Sequence, residues 1–149
     1  MKRLIPLLVL VILIAGILPV VACAEENTLE TIRFDDGSYM MVEMVFGRVR
    51  ASGSVTGSKK YTYYNSDDVS QWRAVLTGSF SYSGSSATCS SSSVDVTVYN
   101  SDWYVVSKLA DKSGNTATAS VTMGLPYDGT VAKVPVKLNL KCDANGNLS

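Results

Sequence analysis

Thr116–Met123 reads TATASVTM. Ala117, Ala119, Val121 and Met123 fall on one parity, and Thr116, Thr118, Ser120 and Thr122 fall on the other. A period of two with apolar and hydroxyl residues segregated predicts a β-strand with one packed face and one wet face. The same pattern continues to either side. Beyond a Pro/Gly/Asp turn at Leu125–Gly129, the residues Ala132, Val134, Val136, Leu138 and Leu140 share parity with Cys142. Upstream, Gln71–Tyr82 places Trp72, Ala74, Leu76, Phe80 and Tyr82 on one face. Ser83-Gly84-Ser85 then turns the chain into Ser86–Ser90, where Ala87 and Cys89 point the same way. The next apolar set is Val94, Val96 and Val98, on the opposite parity, so the serine run Ser90–Ser93 predicts a bulge or a strand that switches sheets.

The remaining segments fit the same class. Thr31–Phe34 and Tyr39–Phe46 flank Asp35-Asp36-Gly37, a hairpin signal because Asp-Gly tolerates the turn conformation. Met40, Val42, Met44 and Phe46 share one face of the second run, as core filler or as an adaptable binding surface; core filling is the plainer reading. Gly47–Ser58 reads as a weak strand plus loop, Lys59–Tyr64 as a strand, and Asn65–Asp68 as a turn. Trp103–Ala110 forms a further strand, with a turn at Asp111–Asn115. Seven or eight strands joined by short turns, with no helix after the leader, predict an all-β antiparallel sandwich of immunoglobulin-like type. The order Cys89, Trp103, Cys142 resembles the cysteine–tryptophan–cysteine pattern of that fold. Leu140 stands where its corner tyrosine would be, and only seven residues follow Cys142, so the connectivity is expected to differ.

The first residues carry an address. Lys2 and Arg3 precede an unbroken apolar run from Leu4 to Val21, and Ala22-Cys23-Ala24 supplies small residues for cleavage. That order reads as a secretory signal peptide, a signal helix over residues 1–24 followed by one secreted domain over 25–149. Pro19 would break the helix just before the cut. Val20-Val21-Ala22-Cys23 also resembles a permissive lipobox, which would place a lipid on Cys23 and hold the domain at the cell surface. An uncleaved anchor is the third option, since the apolar run is long enough to span a bilayer. In each case the domain leaves the cytoplasm, and contact with a membrane comes only through that leader or lipid.

Cysteine usage agrees with export. Once Cys23 is removed or lipidated, Cys89 and Cys142 remain as an even pair, and both sit on apolar parities. An internal disulfide between two packed sheets is expected in an oxidising compartment. Two unpaired buried thiols are the alternative.

Composition excludes more chemistry than it suggests. The chain has no histidine, which removes Ser-His and Cys-His nucleophile pairs and the usual zinc ligand sets. No phosphate-cradling glycine motif occurs, and Lys112-Ser113-Gly114 lacks the partner motifs that would make it more than a turn. Asp35 with Asp36 and Asp67 with Asp68 are turn-placed, so their carboxylates diverge. Asp143–Asn147 has its glycine at the fourth place and no following glutamate, so it fails as a calcium loop. No metal and no cofactor are expected. Of thirteen basic and thirteen acidic residues, removal of Lys2 and Arg3 with the leader leaves eleven basic against thirteen acidic, a net charge of −2, which gives no electrostatic case for nucleic acid or an anionic membrane surface.

The aromatic residues carry the one positive functional signal. Tyr61, Tyr63, Tyr64, Trp72, Trp103 and Tyr104 include candidates for a platform that stacks on sugar rings. Tyr61, Tyr63 and Tyr64, flanked by Lys59 and Lys60, are the expected ligand-binding residues; the bland alternative is core and cross-strand packing.

WRAVLTGSFSYSGSSATC at Trp72–Cys89, with Asp102-Trp103, KSGNTATA at Lys112–Ala119 and the NGNLS tail, resembles a group of short secreted proteins of Gram-positive gut bacteria. The resemblance covers about half of the chain and implies export and a host-associated source. It supplies no site residues. The function expected from all of this is a non-enzymatic secreted or surface-associated binding module with a protein or glycan ligand. A secreted toxin, bacteriocin-like factor or inhibitor is the second reading, and a carboxylate-dependent hydrolase the third.

Overall fold

A computed structural model describes residues 29–46 and 53–149. The expected leader over residues 1–24, including Cys23, lies outside the described residues. Eight strands form two antiparallel sheets, and the described residues contain no helix. Strands β1 (Leu29–Arg33), β2 (Tyr39–Val45), β3 (Ser54–Tyr64), β4 (Ser70–Tyr82) and β5 (Ala87–Val98) make a five-stranded sheet in that order. Strands β6 (Tyr104–Ser113), β7 (Thr116–Tyr127) and β8 (Thr130–Lys141) make a three-stranded sheet. Every strand pairs with its neighbour in sequence, so each sheet is a meander. No Greek key links them, and in this the connectivity departs from the immunoglobulin pattern.

Hydroxyl and apolar parities sort as the alternation demands. In β7, Ala117, Ala119, Val121 and Met123 are buried against the larger sheet, while Thr116, Thr118, Ser120 and Thr122 face away from it. Opposite them lie Trp72, Ala74, Leu76 and Phe80 of β4, all fully buried. Strand β7 crosses over β4 and β5, and β8 over β3 and β4. The serine run does hold a bulge. Ser79 pairs with Ser91 and Phe80 with Cys89, which leaves Ser90 as the extra residue and restores inward parity for Cys89.

Small residues let the two sheets meet closely at Gly78 and Ala117. A Cβ on Gly78 would stand 2.8 Å from two ring carbons of Phe80 and 3.0 Å from Cβ of Ala117. Nearby, Ser92 Oγ of the larger sheet donates to the Thr118 carbonyl of the smaller one at 3.3 Å. Phe80 is buried and cannot swing aside. Gly78→Ala is therefore expected to cost about 1–3 kcal/mol through overpacking, read as a lower midpoint in urea with an unchanged slope. A neutral result would mean that the sheets separate there without penalty.

Toward the start of β4 a cluster of aromatic residues packs in the core. Tyr63 stacks on Trp72 with centroids 5.4 Å apart, and Trp103 meets Tyr63 edge-on at 5.4 Å. Trp103 arrives from the β5–β6 turn, which is tied to buried Gln71 through Tyr99 N–H and Asn100 N–H donating to the Gln71 carbonyl. Asn100 Nδ2 also donates to Gln71 Oε1 at 2.7 Å.

Candidate functional site

The tyrosines expected to bind ligand are not gathered on an open face. Tyr61 and Tyr63 point inward and are buried, paired across strands with Ala74 and Trp72. Burial pushes the Tyr61 hydroxyl above its usual range, and the Glu30 charge adds to that shift. Tyr64 lies on the outer face of the larger sheet, stacked on Tyr39 at 4.9 Å and nearly parallel, while Arg33 covers the Tyr39 ring. Lys59, Lys60 and three tyrosines look like a platform in sequence. Strand alternation sends two of the three rings into the core, and the third is occupied by a neighbouring ring.

Asp36 and Asp143 are committed to the backbone of their turns. Asp36 Oδ1 accepts the Ser38 N–H at 2.9 Å, and the Ser38 hydroxyl and N–H hold its carboxyl below the usual range. Asp143 Oδ1 accepts the Asn145 and Asn147 N–H groups at 2.8 and 2.9 Å, and Oδ2 accepts Asn147 Nδ2 at 2.8 Å. Both carboxylate oxygens of Asp143 are thus used in shaping the turn, and its side-chain bond to Asn147 leads the lowering of its pKa. No group of three or more potential metal-ligating residues occurs among the described residues.

The expected Cys89–Cys142 bridge is not closed in the structure; both thiols are free and buried. Each sulfur donates to a nearby carbonyl, Cys89 Sγ to Ser91 at 3.2 Å and Cys142 Sγ to Asp143 at 3.4 Å. Their backbones nonetheless hang from one turn. Cys89 N–H donates to Gly114 and Cys142 N–H to Asn115, at 2.7 and 3.0 Å. Burial raises both thiols, with the Lys112 charge opposing the shift at Cys89 and the Asp143 charge and Cys89 adding to it at Cys142.

The outer face of the three-stranded sheet is the surface with organised chemistry. Register places three columns side by side, each from one strand. The middle column, on β7, is Thr116, Thr118, Ser120, Thr122 and Gly124. On the β8 side stand Lys141, Asn139, Lys137, Pro135 and Lys133, opposite those five in turn. On the β6 side stand Ser113, Asp111, Leu109, Ser107 and Tyr104. A bulge between Val105 and Ser107 leaves Val106 without a partner on β7.

Tyr104 owes its position to Gly124. Its Cζ and Cε1 lie 2.8 and 3.1 Å from the point a Gly124 Cβ would occupy, and Val106 Cγ2 lies 2.9 Å from that point. The ring therefore crosses onto β7, where any side chain would displace it, and 42 % of Tyr104 stays open to solvent. Leu109 on the same column is 69 % exposed. Farther along, Thr118, Ser120, Lys137 and Asn139, with Ala119 and Leu138 between them in sequence, line a depression of about 360 Å³. A mixed column holding Tyr104 and Leu109, a hydroxyl column and a lysine-bearing column thus run side by side about 4.8 Å apart.

The sequence reading had Tyr104 among its aromatic candidates but missed the columns around it. The signal was present. Lys133, Lys137 and Lys141 recur every four residues on the parity opposite to the apolar set of β8, and a strand read for its core face hides its other face. Compared with known protein families, characterised proteins and solved structures, the chain has no match.

Proposed function

We propose that the protein is a non-enzymatic binding module, exported from the cytoplasm, whose ligand is a glycan lying along the outer face of the three-stranded sheet. The observation that carries this reading is the exposed Tyr104 ring held across Gly124, at the end of a strand face that carries Thr116, Thr118, Ser120 and Thr122. Sugars offer apolar C–H faces to aromatic rings and hydroxyl edges to polar side chains, and this face presents both. Export rests on the charged, apolar and small-residue order of residues 1–24, with a lipidated Cys23 as the alternative address. In an oxidising compartment Cys89 and Cys142 close into a disulfide. Intact mass of the secreted product reports the cleavage site, any acyl chain and the loss of two hydrogens.

A glycan array probed with the folded protein tests the reading. Tyr104→Ala and Gly124→Val are each expected to weaken binding at least about tenfold, equivalent to about 1.4 kcal/mol, because one deletes the ring and the other displaces it. Tyr104→Phe keeps the ring and is expected to keep the affinity. Circular dichroism of each variant shows that the sheets remain. Uniform absence of glycan binding by the folded protein would sink the reading.

A further inference from the structure

We infer that the glycan bound on this face is acidic, a polysaccharide bearing repeated carboxylate or sulfate groups; the inference rests on the glycan reading above. Lys133, Lys137 and Lys141 all project from β8 onto the outer face of the smaller sheet, four residues and so about 13 Å apart. All three are exposed, and none of their ammonium groups forms an ion pair or hydrogen bond among the described residues. Asp111 is the one carboxylate on the three columns, and it stands on the opposite side of the hydroxyl track, where its Oδ1 accepts the Lys112 N–H at 2.7 Å. The face is therefore cationic along one edge although the whole chain carries equal numbers of acidic and basic residues.

Placement beside the hydroxyl track selects among anions. Lys137 shares the rim of the 360 Å³ depression with Thr118, Ser120 and Asn139, so a negative group there has a cation on one side and hydroxyl partners on the other. The side chains of Ser120 and Asn139 have no hydrogen-bond partner among the described residues, which leaves the hydroxyl and the amide for a ligand. A single small anion can satisfy one lysine. A chain with acids at intervals along its length can engage all three while its ring faces rest on Tyr104 and Leu109. Nucleic acid is disfavoured because three lysines on a domain with eleven basic and thirteen acidic residues beyond the leader make a thin footprint for densely spaced phosphates. A lipid surface would leave the central hydroxyl track facing acyl chains without partners.

Lysines on an edge strand also deter edge-to-edge pairing, and Pro135 in the middle of β8 marks that strand as an edge. The two roles give different results on substitution, and the experiment separates them. The secreted protein is titrated with polygalacturonate, hyaluronate and chondroitin sulfate, and with methyl-esterified polygalacturonate as the carboxylate-free counterpart. Double-stranded DNA and vesicles of phosphatidylglycerol and phosphatidylcholine serve as other anions. At least one acidic polymer is expected to bind, with polygalacturonate favoured at least tenfold over its ester. Affinity is expected to fall with salt and to drop at least tenfold in the K133Q/K137Q/K141Q variant, while the triple Lys→Arg variant retains it.

Equal binding of polygalacturonate and its ester overturns the inference and leaves the glycan reading standing. Binding of neutral glycans alone does the same. Tighter binding to DNA or to the vesicles than to any acidic polymer overturns it in favour of those partners. Self-association of the triple Gln variant with unchanged polymer binding assigns the lysines to edge protection and also overturns it. Failure to bind any glycan at all removes both the inference and the reading beneath it.

Discussion

Trp72→Ala is expected to destabilise the domain by about 3–5 kcal/mol, a large share of the 5–15 kcal/mol that holds a domain of this kind folded. Trp72 is fully buried near the start of β4, stacked on Tyr63 and 6.1 Å from the Trp103 ring. Truncation opens a cavity bounded by those two rings, and neither can collapse into it. Tyr63 is fixed by its strand register opposite Met40 and Trp72. Trp103 is fixed by a turn hydrogen-bonded to Gln71 and Asn100. The loss is measured by urea unfolding monitored by tryptophan fluorescence from Trp103 and by circular dichroism.

A second substitution separates packing from polarity at the same site. Trp72 Nε1 is buried and has no hydrogen-bond partner in the described structure. An unpaired buried donor costs about 1–3 kcal/mol, so Trp72→Phe removes packing area and a penalty together. It is expected to cost clearly less than the alanine change, under about 2 kcal/mol. Equal losses in the two variants would mean that the indole N–H finds a partner in solution, such as an ordered water.

The alternation that placed Trp72 inward also shows where sequence reading works. Segments with one buried face announce it, as Thr116–Met123 and Gln71–Tyr82 do, and even the Ser90 bulge is visible as a parity change. Segments without such asymmetry do not. Strand β6 is almost wholly exposed on both faces, so nothing in its residues marks its end, and it runs on to Ser113 where a turn was expected from Asp111. Strand β3 begins at Ser54, earlier than Lys59, because Gly57 packs opposite Gly78 by being small and gives no apolar signal. The turn expected from Leu125 comes only at Asp128, since β7 and β8 pair through Tyr127 and Thr130 beyond the covered core. For the same reason the site was only partly legible. A binding face made of polar residues looks like any wet strand face until register sets its columns beside one another, and Tyr104 becomes distinctive only once Gly124 lies under its ring.

A form oxidised at Cys89 and Cys142, which are free thiols in the structure, is expected to exceed the reduced protein in stability by about 4 kcal/mol, since such a bridge would close a loop of about 54 residues in the chain-entropy model. That loop contains all of β6, β7 and β8, so a bridge would fasten the smaller sheet, with its candidate binding face, to the start of β5. Cys89→Ala with Cys142→Ala is the proper bridge-free form, because serine would bury two hydroxyl groups among apolar neighbours. Thermal melts of the oxidised, reduced and double-alanine proteins should place the oxidised form higher by roughly 15 °C. Acidity gives an independent check. Burial leads the upward shift of both thiols, so the folded, reduced protein keeps its protons after the unfolded chain has begun to lose them. Its stability is then complete below the ordinary thiol range, near pH 8.5, and declines as pH rises through and beyond it. The oxidised protein has no thiols to ionise and should lack that decline. Coincident melts for the oxidised and reduced proteins, with the same dependence on pH, would show that the two sulfurs never join.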